Sequence, residues 1–149
     1  MVLKGQNYVE CNLFLSGIKM AVLAPHSCTA KIDNIAYFLI YNSKIPYQAK
    51  IGRESTFGYG GMGVVIHSKS IIGENCTICQ QVTIGGGNSR FPGVPVIGNN
   101  VYIAKGSIVM GGITIGNNVT IGANAVVTKP VPDNAIVAGV PAKILRIKE

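Results

Sequence analysis

Large aliphatic side chains recur at every sixth position, at Ile97, Ile103, Val109, Ile115, Ile121 and Val127. Two positions ahead of each successor stands a smaller inward candidate: Val101, Ser107, Ile113, Val119 and Ala125. An amphipathic helix repeats every ~3.6 residues and a half-buried strand alternates at every second one, so neither explains a period of six. The pattern predicts a parallel β-helix, in which short strands meet at repeated corners and each coil pairs with the next. The corners are read at Gly98-Asn99-Asn100, Ala104-Lys105-Gly106, Gly111-Gly112, Gly116-Asn117-Asn118 and Gly122-Ala123-Asn124. Gly and Asn adopt the positive φ of a sharp turn at least cost. Three sides per coil take about eighteen residues and rise ~4.8 Å, the inter-strand spacing. Ile97 is therefore expected on Ile115, Ile103 on Ile121, and Val109 on Val127.

Earlier in the chain the repeat begins near Ile45-Pro46 and passes through Ile51 and Phe57, then slips. Gly58-Tyr59-Gly60-Gly61-Met62-Gly63 adds residues before Ile66 and predicts a bulge pushed out of a corner. Regular spacing resumes at Ile66, Ile72, Ile78 and Ile84 and breaks again over Gly85 to Pro95, a protruding loop. After Val131 the prism is expected to end at Pro132-Asp133-Asn134, followed by a basic tail. Residues 1–44 do not follow the repeat. Apolar segments from Val9 to Leu23 and from Ile35 to Tyr41, separated by Pro25 and Ser27, predict two short helices capping an open end of the prism. The expected organisation is a helical N-terminal cap over 1–44 and an all-β parallel β-helix over 45–149.

Composition agrees with one domain: 149 residues, 48% hydrophobic and 13% charged, with 19 glycines for turns. No apolar run reaches the ~18 residues of a membrane span and no leader pattern opens the chain, so no membrane span and a cytoplasmic location are expected. The formal charge is +7, but the basic residues are scattered without interleaved aromatics or a DNA-binding motif, which points away from nucleic acid and toward a small anionic ligand. Cys76-Thr77-Ile78-Cys79 is formally CxxC, yet Cys11 and Cys28 give no matching pair for zinc. Cys76 takes the small inward position also held by Ser70 and Val82, and Cys79 a corner. No metal is expected.

Two interruptions in a strict repeat mark where a rigid scaffold carries loops for function. One coil of eighteen on from His67 is Gly85, the root of the loop, so spacing predicts that His67, the bulge and the loop share one corner.

The stretches Ile72-Gly73-Glu74-Asn75, Gln81-Val82-Thr83-Ile84-Gly85-Gly86, Ile121 to Val127 and Ala138-Gly139-Val140-Pro141-Ala142 resemble the hexapeptide-repeat acyltransferases, in their serine acetyltransferase-like branch, over residues 45–145. The resemblance implies a left-handed prism, against the usual crossover hand, and a homotrimer with acetyl-CoA in the groove between prisms. It also implies an Asp-His pair where this chain has Gly58-Tyr59, and a second His before a proline where this chain has Val94-Pro95.

Acetyl transfer to an alcohol needs a group titrating near neutrality to take the hydroxyl proton, and imidazole suits. Of the two histidines, His26 lies in the capping segment, which leaves His67 as the candidate base; the alternative is a plain exposed corner residue. Tyr59 is a candidate for the acceptor pocket, a phenol being in general a poor base near neutrality. Backbone N–H groups of Gly60, Gly61 and Gly86 are candidate oxyanion donors, and Arg90 on the loop is a candidate substrate contact. By resemblance, CoA would be held by Ala104, Gly122 and Ala123, with Lys105, Lys129 and Lys143 near its phosphates; Lys129 reads equally as a solvated surface charge. The expected function is acetyl-CoA-dependent O-acetylation of a small acceptor hydroxyl, on a sugar or polysaccharide precursor. The alternatives are serine O-acetylation and amino-sugar N-acetylation. A γ-class carbonic anhydrase would need three histidines on zinc, and a purely structural binding module would need neither bulge nor loop.

Overall fold

The computed structural model describes residues 38–149 together with the strands β1 (Glu10–Cys11) and β2 (Met20–Ala21). From residue 44 onward the chain winds as a three-faced parallel β-helix of the left-handed hexapeptide type. Each coil contributes one short strand to each face. The first face holds β3 (Lys50–Ile51), β6 (Ile71–Ile72), β9 (Val96–Ile97) and β12 (Thr114–Ile115). The second holds β4 (Thr56–Phe57), β7 (Thr77–Ile78), β10 (Tyr102–Ile103) and β13 (Thr120–Ile121). The third holds β5 (Val65–Ile66), β8 (Thr83–Gly85), β11 (Ile108–Met110) and β14 (Val126–Val127).

The register is the one the six-residue period requires. Ile97 pairs with Ile115, Ile103 with Ile121, and Val109 with Val127. The columns extend downward as Ile51-Ile72-Ile97, Phe57-Ile78-Ile103 and Ile66-Ile84-Val109. From Phe57 upward these side chains are buried, with Ile78, Ile84, Ile103, Ile115 and Ile121 at 0% exposure, each contributing about 1.5–3 kcal/mol of transfer free energy. At the edge between the first and second faces, Asn75, Asn100, Asn118 and Asn134 all take φ between 53° and 60°. Their side chains bond along the column, Asn75 Nδ2 donating to Asn100 Oδ1 at 2.7 Å and Asn118 Nδ2 to Asn134 Oδ1 at 3.0 Å. Asparagine here satisfies two demands at once, a left-handed backbone and a polar link between coils.

Two expectations for the ends need correction. Within the segment from Val9 to Leu23, read as a helix, Glu10–Cys11 and Met20–Ala21 pair as antiparallel strands; the rest of that segment lies outside the described residues. A dense apolar run has no phase of its own, so periodicity alone does not separate helix from buried strand there. The second expected helix, Ile35 to Tyr41, is helical over residues 38–41, and its first residues lie outside the described ones. At the other end the chain does not stop as a tail after Asn134. β15 (Ala135–Ala138) adds to the second face, and β16 (Lys143–Ile147) folds back antiparallel on it. All five residues of β16 are exposed, which removes the inward-outward alternation by which a strand is recognised.

Candidate active site

The third face and its two edges carry the residues singled out by sequence. His67 follows Ile66 directly and is held at the edge between the third and first faces. Its N–H donates to Ile84 O at 2.8 Å and its carbonyl accepts from Ser70 N–H at 3.0 Å. The imidazole Nδ1 accepts from Lys69 N–H at 3.1 Å, which places the proton of the neutral ring on Nε2. That nitrogen faces the loop: a Cβ on Gly87 would sit 3.5 Å from it. His67 and the loop root therefore meet, as spacing predicted.

The bulge does not join them. It leaves the prism one edge earlier, between the second and third faces, where Gly63 packs against Gln81 and Gln81 N–H donates to Met62 O at 2.8 Å. Its ejected residues stand at the opposite end of the short segment Val64 to Ile66, about 10 Å of extended chain away at ~3.3 Å per residue. Counting by eighteen locates the loop relative to His67, but an insertion shifts the phase of whatever lies inside it. Tyr59 is 77% exposed with φ 52°, Gly60 lies beneath the Tyr41 ring, and Gly61 packs against Ile45 and Phe57.

The loop is tied down by its own backbone. Gly87 N–H donates to Phe91 O and Gly112 N–H to Pro92 O, both at 2.8 Å, while Asn88 Oδ1 accepts from Arg90 N–H at 3.1 Å and Phe91 N–H at 2.7 Å. A Cβ on Gly86 would lie 2.4 Å from Gly93 O, and one on Gly93 would lie 2.8 Å from Gly112 Cα. Only glycine permits backbones to approach so closely. Gly86 N–H has no partner among the described residues, so it remains available as a donor. Arg90 is exposed on the outer turn.

The other candidates divide between the two edges of this face. Tyr59, Gly60, Gly61, Ala104, Lys105, Gly122 and Ala123 line the edge between the second and third faces, with Lys143 beside its end through pairing to Ala138. His67, Gly86, Arg90 and Lys129 line the edge between the third and first. Basic residues scattered along the sequence are partly gathered by the winding, although Lys50, Arg53, Arg146 and Lys148 lie away from the third face. Lys44 (bridged to Val65), Lys69, Arg90, Lys105, Lys129 and Lys143 border the third face. The carboxylates of residues 38–149 gather on the opposite edge: Glu54, Glu74 and Asp133 lie at turns between the first and second faces, and Glu149 follows Lys148, whose Nζ donates to Asn118 O there. Among residues 38–149 one face thus presents positive charge alone, a field that attracts polyanions.

The cysteines separate by burial. Cys76 is 1% exposed, and its Sγ donates to Gly98 O at 3.2 Å. Burial pushes its thiol pKa above the ordinary value, against smaller opposing effects of nearby hydrogen bonds. Cys79 is partly exposed, with Sγ 3.4 Å from Tyr102 Oη. Among the described residues no three metal-ligating side chains cluster.

Comparison with known proteins agrees with this architecture. Residues 95–129 match the family described as bacterial transferase hexapeptide (six repeats). A serine acetyltransferase of Staphylococcus aureus is 48% identical over 99 residues, which is 66% of this chain and 46% of that protein. The solved serine acetyltransferase of Neisseria gonorrhoeae superposes with a TM-score of 0.74 at 30% identity, over 81% of this chain and 46% of the other. A solved serine acetyltransferase in complex with CoA superposes with a TM-score of 0.69 at 34% identity, over 78% of this chain and 47% of that one. The chain spans about half the length of the curated relatives it matches. It is a hexapeptide-repeat β-helix similar to the serine acetyltransferase branch, as its motifs indicated.

Proposed function

We propose that this chain transfers acetyl from acetyl-CoA to the hydroxyl of a small acceptor. The observation that carries the reading is the placement of His67, its Nε2 under a pinned loop on the border of the face whose charges, among residues 38–149, are all positive. An anionic donor is drawn to that face, and a side chain able to take a proton waits at its border. In this reading Lys105 and Lys143 at one edge and Lys129 at the other would meet CoA phosphates, while Ala104, Gly122 and Ala123 would let the ligand approach the backbone closely.

In this reading the acceptor oxygen attacks the thioester carbonyl carbon as its proton passes to Nε2. Collapse of the tetrahedral intermediate breaks the C–S bond, and the imidazolium returns the proton to the leaving thiolate. Gly86 N–H is a donor for the oxyanion. For Nε2 to accept, the ring proton must first sit on Nδ1, which forfeits the exposed bond from Lys69 N–H. A hydrogen bond of that kind contributes about 0.5–1.5 kcal/mol. General-base catalysis returns ~10²–10⁴ in rate, or roughly 3–5 kcal/mol, so the tautomer change does not decide against the role.

The relatives named serine acetyltransferase favour a serine-type acceptor over the sugar acceptor that the sequence led us to expect. One observation keeps the sugar hydroxyl as a second reading. Gly58-Tyr59 and Val94-Pro95 occupy the positions where the resemblance calls for an Asp-His pair and a second His. We further propose that the donor groove is completed between copies in a homotrimer. Among the described residues no helix is long and apolar enough to cross a membrane, and the free thiols of Cys76 and Cys79 suit a reducing cytoplasm.

Thiol release from acetyl-CoA, followed with serine and with a panel of sugars, tests the assignment, with light scattering to give the assembly mass. His67→Ala should lower kcat by ~10²–10⁴ while leaving thermal unfolding unchanged. An unimpaired His67→Ala enzyme removes His67 from the chemistry.

A further inference from the structure

The outward position at the end of each strand of the third face forms a column. One residue beyond the Ile66–Ile84 pair, His67 stands alongside Gly85, and Gly85 pairs in turn with Met110. Three neighbouring levels therefore read imidazole, no side chain, thioether. The empty level is not a demand of the backbone, since Gly85 is absent from the positive-φ residues. Nor is it a demand of packing: a Cβ built on Gly85 meets no heavy atom within 4 Å. It is alone in this among the described glycines. Gly86, one residue on, could carry no Cβ without striking Gly93 O. Nothing among the described residues explains glycine at 85, and the space it leaves opens outward beside His67.

Resting on the acetyltransferase reading above, we infer that Gly85 is a specificity-determining residue, the floor of a slot that receives the acyl group of the donor between His67 and Met110. The walls stand two coil rises apart, ~9.6 Å at ~4.8 Å each. With non-bonded contacts near ~4 Å on either side, one layer of atoms fits. A planar acetyl thioester is one layer thick, and one wall of the slot carries the imidazole that meets the attacking hydroxyl. Met110, half-buried and flexible, closes the far side against a longer chain. The ligand class is a short-chain acyl thioester, and chain length is read at this position.

The test uses the full chain with Gly85→Ala and Met110→Ala. Gly85→Ala should unfold at a temperature no lower than wild type, keep its assembly mass and retain CoA in calorimetry. Its kcat with acetyl-CoA should fall by ~10–200-fold, the effect of one misplaced methyl group in a fitted pocket. Met110→Ala should raise the propionyl-CoA to acetyl-CoA ratio of kcat/KM by about tenfold or more on the same scale. Full activity in Gly85→Ala, loss of assembly in that variant, a rise confined to acceptor KM, or an unchanged acyl ratio in Met110→Ala would each overturn the slot. Failure of the reading beneath it shows separately, in a wild-type protein that neither binds CoA nor releases thiol with any acceptor.

Discussion

Replacing Ser107 and Ser70 by alanine makes the same chemical deletion at the same inward position of the repeat, and the structure predicts opposite signs. Both side chains are fully buried. Ser107 Oγ donates toward Ala104 O at 2.5 Å and Gly122 O at 3.0 Å. Those carbonyls also accept backbone N–H groups from Ser107 and Ala125, so Ser107→Ala loses a bond without orphaning an acceptor, a cost of about 1 kcal/mol. Among the described residues Ser70 Oγ has no partner. Ser55 bonds Gly73 O and Ser107 bonds Gly122 O, in each case the residue after a buried isoleucine on the next coil. For Ser70 that residue is Gly85, whose carbonyl is turned to Gly111 N–H at 3.0 Å where the chain leaves for the loop. The hydroxyl is buried with its desolvation uncompensated, which costs ~1–3 kcal/mol, so Ser70→Ala should stabilise by about that amount. At ~2–4 °C per kcal/mol for a chain of this size, thermal unfolding at fixed protein concentration should place Ser107→Ala a few degrees below wild type and Ser70→Ala above it. Equal destabilisation of both would refute the argument and mean that an internal water satisfies Ser70.

Three further outcomes are expected. Gly73→Ala should destabilise by more than ~3 kcal/mol in urea titration, because its Cβ would lie 2.4 Å from Gly98 O, a backbone atom of the next coil that cannot step aside; soluble, wild-type-like protein would show that the coils slide. Ile103→Ala, fully buried in the second face between Ile78 and Ile121, should cost about 2–5 kcal/mol by the same measurement. For Cys76 the folded state holds the thiol pKa above its unfolded value near 9.0, so the unfolded chain loses its proton first; the contribution of Cys76 to stability should be constant below that pH and fall as pH rises above it. Urea midpoints taken from pH 8 upward should show this fall in wild type, and Cys76→Ala should lack that part of it.

Much of the fold was legible because the β-helix is almost one-dimensional. Each coil touches only its neighbours, so a local period of six fixes which isoleucine stacks on which, and Asn at 75, 100, 118 and 134 marks the left-handed corners in the letters themselves. The same regularity made the two interruptions visible and brought His67 to the loop root. Segments without a period gave no such purchase: strands Glu10–Cys11 and Met20–Ala21 sit in a run apolar at too many positions to have a phase, and β16 has no buried side to alternate with.

The sequence by itself determined the three aliphatic columns, the corners and the existence of a bulge and a loop, since these follow from spacing and from which residues tolerate a tight turn. Only the tertiary structure decided that the bulge and His67 stand at different edges, that Lys69 N–H sets the tautomer of the ring, that the carboxylates of residues 38–149 gather on one edge away from the third face, and that among the described residues Gly85 is open while Ser70 is stranded. Those depend on where a carbonyl or a charge ends up after the chain has wound through a full coil, an arrangement of residues eighteen or more apart that no local pattern records.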